Sequence, residues 1–228
     1  MTLGRDVARQ LLIATGVGAL IGGVVGGIGG RLVMFALRVG SPDSVIGVQT
    51  DDDFTVGRFS TSTFFLLGVT AGLGVATALL YLLVRETCPR RGRPLVIAAV
   101  AALYLGADVI DPHKLDFEIF EPRSFAVASF IAMPAVAALA IGWVLERMLE
   151  REGRPPLWQI VPMAIAAVPV LPLAPVIALV GAVVYTVRNQ PKAAAWCLRV
   201  GRVAVPLGLA LLSLRSGVEL WRDVDQTL

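Results

Sequence analysis

The stretch from Pro155 to Val187 holds 33 residues without one Asp, Glu, Lys or Arg. Phe59–Val84 is a second such run of 26 residues, Ser124–Leu145 a third of 22 and Gln10–Gly30 a fourth of 21. A hydrocarbon core about 30 Å thick is crossed by ~20 apolar helical residues. Uncharged runs this long therefore specify an all-α fold, a polytopic transmembrane helical bundle. Composition agrees, with 56% hydrophobic and 16% charged residues, against about 25% charged in a soluble domain. An ordinary soluble enzyme, a disordered chain and a fibrous repeat are all excluded.

Two shorter runs, Pro94–Ala107 (14 residues) and Val203–Leu214 (12 residues), reach span length only with polar neighbours included or snorkelling. The expectation is one integral membrane domain over 1–228, with six spans near 10–38, 60–84, 94–110, 124–146, 157–187 and 196–215. Arg5 and Arg9 before the first run look like a signal-peptide n-region. That run exceeds a typical h-region and no A-x-A-like site follows, so it reads as a span. The tail from Arg215 reads as an interfacial helical cap.

Basic residues orient such a bundle. Arg5 and Arg9 precede the first span; Arg85, Arg90, Arg91 and Arg93 follow the second; Arg147, Arg151 and Arg154 follow the fourth. Loop 40–61 carries only Arg58, and loop 111–123 only Lys114 and Arg123. The N-terminus is therefore expected in the cytoplasm and these two loops outside. The net charge of +3 follows from this sorting, so nucleic acid is not an expected partner. The fifth segment breaks the alternation. If 157–187 crosses once, Arg188, Lys192, Arg199 and Arg202 lie outside. Pro169, Pro172 and Pro175 at its centre remove backbone donors and resist regular helix. The segment can instead re-enter as two half-helices, which returns that loop to the inside. Charge counting favours the hairpin; simple alternation favours six spans with both termini inside.

Gly18, Gly22, Gly26 and Gly30 recur at four-residue spacing. Such a stripe lets a second backbone approach closely, and Gly68 and Gly72 of the second segment are its expected partners. Arg31, just beyond the stripe, is costly within a membrane unless paired; Asp108 is the expected partner, and Asp111 that of Arg38. Glu146, Arg147, Glu150, Arg151 and Arg154 read as a solvated helix end. Asp108, Asp111, His113 and Asp116 resemble a hard-cation set, but Asp111-Pro112-His113 is turn chemistry. No metal or cofactor is expected, and no hydrolase, zincin or P-loop motif is present.

Three stretches, IGGVVGGIGGRLVMFALR (21–38), DDDFTVGRFSTSTFFLLGVTAGLGV (51–75) and LWRDVDQTL (220–228), resemble parts of uncharacterised multi-pass membrane proteins of actinobacterial type. The resemblance implies a bacterial plasma-membrane location and carries no activity, substrate or site residue. Small size, short loops and a glycine packing face point to a non-enzymatic scaffold or subunit of a membrane complex. Its expected partners are the lipid bilayer and a membrane protein or a second copy. A small transporter or permeation protein is the alternative, resting on the proline-broken segment and the Arg31–Asp108 pair. A lipid-modifying enzyme is the third, resting on the Asp108–His113 group.

Overall fold

The computed structural model describes residues 3–42, 47, 61–85, 92–110, 122–151, 156–189, 208, 210, 211 and 213–225. All regular structure among them is helical. Helix α1 (Leu3–Ile21) passes through a π-helical stretch, Gly22–Ile28, into α2 (Gly29–Gly40). Next come α3 (Thr61–Arg85), α4 (Arg93–Val109) and α5 (Arg123–Glu150). Helix α6 (Leu157–Ala167) joins α7 (Ala174–Asn189) through a 3-10 stretch, Val168–Leu173. Helix α8 covers 213–225. Among the described residues, four stretches are long and apolar enough to cross a membrane: Gly4–Gly40, Ser62–Leu83, Arg123–Glu150 and Trp158–Thr186. Arg93–Ala107 is apolar but shorter. The chain is thus an all-α membrane bundle.

Several small residues lie inside, and many large apolar ones face outward. Ala14, Ala19, Ala78 and Ala138 are buried, whereas Leu32, Phe35, Phe64, Phe65, Trp143 and Leu171 are exposed. A water-soluble fold would not leave so much apolar surface uncovered. Between helices in lipid, attraction comes from close packing rather than from hydrophobic exclusion, which favours small residues at the contacts.

The tightest contact joins the first helix to α3, antiparallel. A Cβ added at Gly18 would lie 2.5 Å from the Gly74 carbonyl oxygen. One at Gly22 would collide with the Thr70 carbonyl oxygen, and one at Gly74 with the Gly18 carbonyl oxygen. Gly26 and Gly27 face Thr70, and Gly27 also meets Leu67. A four-residue repeat advances about 40° beyond a full turn at each step in a 3.6-residue helix. Its stripe therefore winds off the partner. The wider π turn over Gly22–Ile28 winds it back, so the contact lasts to Gly27. Gly30 has left it and faces Met133 of α5. The expected partners Gly68 and Gly72 need correction. They lie on another face of α3, beside Pro169 and Leu173, and the glycine that meets the first helix is Gly74.

The proline-rich segment folds back. Met163 of α6 lies against Gly16, Gly181 of α7 against Leu11, and Tyr185 against Gly4. Trp158, at the start of α6, lines a cavity with Met148 and Arg151; Arg9 reaches the carbonyls of these same two residues. Residues 158 and 185 therefore lie at the same end of the first helix, and the single crossing is not what the contacts give. The hairpin tip is the 3-10 stretch. Pro169 and Pro172 shape it by removing donors, and Pro175 sits in the first turn of α7, where a missing donor costs little. Val170 anchors the tip, buried with Ala19, Ala71, Val75 and Leu79.

Helix α8 runs parallel to α4, with Gly217 beside Leu103 and Leu220 beside Gly106. Leu220 is buried with Leu37, Ile110 and Val127, at the bundle end opposite the N-terminus. The tail from Arg215 is therefore a packed helix rather than an interfacial cap. Most of the expected sixth span, 196–207, lies outside the described residues.

Substitution at the two glycine faces of α3 should differ sharply. G74A forces backbone from backbone and should destabilise by about 1–3 kcal/mol or more, as over-packing does. G68A and G72A place a Cβ 3.8 Å and 3.6 Å from side chains and should leave the melting temperature nearly unchanged. Thermal unfolding of the three purified variants in detergent checks this.

Candidate functional site

A cluster of charged and polar side chains from several helices lies at the end of the bundle that holds the N-terminus. Its centre is Glu146. On α5, Ala138, Ile141 and Leu145 form a buried stripe at helical spacing, and Gly142 and Glu146 continue that face. Gly142 leaves room for two neighbours: a Cβ there would come within 3.1 Å of both Pro94 and the Tyr81 ring. Tyr81 is completely buried on α3, and a buried phenol needs a hydrogen-bond partner. It donates to Glu146 Oε1 at 2.6 Å. Arg93, the first residue of α4, donates to the same oxygen at 3.1 Å. The Arg85 Nε, at the end of α3, stands 3.5 Å away as an ion-pair contact. One carboxylate thus ties the ends of α3 and α4 to α5.

The arrangement suits binding rather than reaction. The carboxylate is engaged by a phenol and two guanidinium groups, and neither a nucleophile nor a second carboxylate accompanies it in these contacts. Two arginines against one glutamate leave positive charge, and further cations surround it. Arg9 of α1 donates to the Arg151 carbonyl at 2.7 Å and reaches the Met148 carbonyl at 3.5 Å. The last carbonyls of a helix lack intrahelical donors and carry the negative end of its dipole, so a guanidinium there is doubly favourable. Arg147 stacks on Trp143 one turn back, 3.5 Å from the ring centroid. Reading Glu146 as part of a solvated helix end was therefore wrong. The available signal was that it extends the apolar stripe of Ala138, Ile141 and Leu145.

The other predicted residues fall elsewhere. Arg31 donates to Thr63 Oγ1 at 2.7 Å, which joins α2 to the start of α3 near the opposite end. Asp108 lies in the last turn of α4, and its side chain is outside the described part, as are Asp111, His113 and Asp116. The pairs Arg31–Asp108 and Arg38–Asp111 and the hard-cation set thus lie outside the described residues. Pro169, Pro172 and Pro175 meet at the hairpin tip. Gly18, Gly22 and Gly26 face α3, while Gly30 faces α5 and Gly68 and Gly72 face the tip.

Glu146→Gln should strand two guanidinium groups that are mostly buried. The expected loss is roughly 2–3 kcal/mol, below the ~3–5 kcal/mol of a fully buried pair. Tyr81→Phe removes one bond to a charged acceptor, about 1.5 kcal/mol or more. Glu150→Gln, on an exposed position, should change little. Apparent melting temperatures in detergent should fall in that order, E146Q lowest.

Comparison with protein-family models, with curated proteins and with solved structures finds no match to this chain.

Proposed function

We propose that the protein is a non-catalytic scaffold or subunit of a complex in a bacterial plasma membrane. The observation that carries this reading is the Glu146 cluster. The polar groups gathered there hold helix ends together, and the middle of the bundle is filled with Ala14, Val17, Ala78, Ile97, Ala138 and Ile141. A filled apolar centre counts against the transporter reading. The π-helical stretch is the feature that favours transport, since π turns concentrate at functional sites. Here it has a packing role that accounts for it, keeping the glycine stripe on α3. The lipid-modifying reading rests on residues outside the described part.

Orientation follows from the hairpin. With α6 and α7 entering and leaving at one end, Arg9, Arg85, Arg93, Arg147 and Arg151 share the side of the hairpin ends, and Arg188, Lys192, Arg199 and Arg202 follow the hairpin in the sequence. The positive-inside rule supports assigning that side to the cytoplasm. The first helix, α3, α4 and α5 cross, 157–189 re-enters, and loops 40–61 and 111–123 lie outside.

A tagged full-length chain, extracted from its native membrane in mild detergent, tests the assignment. The reading predicts one other membrane protein in fixed stoichiometry, co-migrating on native gels. A monodisperse single chain that instead moves a solute in liposomes would overturn it.

A further inference from the structure

We propose that the basic end of the bundle holds one anionic phospholipid, in the cleft between α1, α5 and α6. The cleft encloses about 390 Å³, within the size range of small-ligand sites. Val17, Leu20 and Met163 wall its deep part, and Trp158, Arg147 and Arg151 stand at its rim. Among the described residues its polar rim carries two arginines and no carboxylate.

The layering matches a phospholipid. The rim lies level with Arg9, whose guanidinium holds the Arg151 and Met148 carbonyls, so α5 ends there in a fixed position. Arg147 stands over the exposed Trp143 ring, 3.5 Å from its centroid, which holds its guanidinium at the rim. A guanidinium matches two oxygens of a phosphate, as an ammonium does not. Trp143 and Trp158 are both exposed, as tryptophans at a membrane–water boundary are. Beyond them the walls are apolar and face the middle of the bilayer, where an acyl chain lies. Basic pockets between transmembrane helices on the cytoplasmic side take anionic headgroups in this way. A free phosphate would satisfy the rim and leave the apolar walls empty, so the occupant is the lipid.

The test uses the full-length chain in nanodiscs and micelles. Native mass spectrometry after exchange into phosphatidylglycerol should retain one lipid per chain. Phosphatidylcholine should be retained at least tenfold less. Phosphatidylglycerol, but not inorganic phosphate, should raise the melting temperature. The double variant R147Q/R151Q should lose at least tenfold in phosphatidylglycerol retention. Gln159→Trp, which narrows the mouth and leaves both arginines in place, should lose retention as well and guards against misfolding of the double variant. Equal retention of the two lipids, a stabilisation reproduced by phosphate alone, or wild-type retention in Q159W would each overturn the proposal.

Discussion

The approach of two backbones at Gly18, Gly22 and Gly74 positions the remaining elements. Lipid tails are as apolar as leucine, so helices gain by association only where they pack more closely with each other than with lipid. Dispersion falls steeply with separation, and glycine removes the side chains that would hold the axes apart. The contact is spread over the first helix by the π stretch, which returns the stripe to α3 where a regular helix would have carried it away. Because the two backbones touch at Gly74 and Thr70, the rotation of α3 is fixed. Its other small face, Gly68 and Gly72, is then presented to the proline-rich tip.

The same rotation sets the charged end. Once α3 is in place, Tyr81 points into the bundle and Arg85 lies at its mouth, so Glu146 of α5 has partners from α3 and α4 within reach. Gly142 admits the Tyr81 ring and the start of α4 to the same turn. The bundle is therefore closed twice, by backbone contact near its middle and by one shared carboxylate at its end. Arg9 adds a third tie by binding the last turn of α5. The cations left over give this end the character of a surface for anionic headgroups.

Much of the architecture was legible because charge marks membrane boundaries. Arg58 and Arg85 bracket α3, and Arg93 and Asp108 bracket the apolar part of α4. The four basic residues after Val187 spoke for a hairpin and the alternation of spans for a single crossing, so the sequence left that choice open. The glycine face of the first helix was legible from its spacing, but its partner was not. Gly68 and Gly72 repeat at four residues and looked complementary, whereas Gly74 stands outside that repeat. Only the antiparallel register, with the π turn inside it, selects Gly74. Glu146 was hidden by its neighbours: in a run with Arg147, Glu150 and Arg151 it looks solvated. Its phase on α5, one turn beyond Gly142, is what buries it.

Re-entry of 157–189 is the claim on which topology, charge sorting and the placement of the hairpin tip all rest. It is tested most directly by single-cysteine labelling in a chain with Cys88 and Cys197 replaced. Pro156→Cys and Asn189→Cys stand at exposed positions at the two ends of the hairpin. A membrane-impermeant maleimide applied to right-side-out and inverted vesicles should modify both cysteines only in the inverted ones. Modification of position 189 in right-side-out vesicles, with 156 modified in inverted ones, would mean that the segment crosses and would contradict the account.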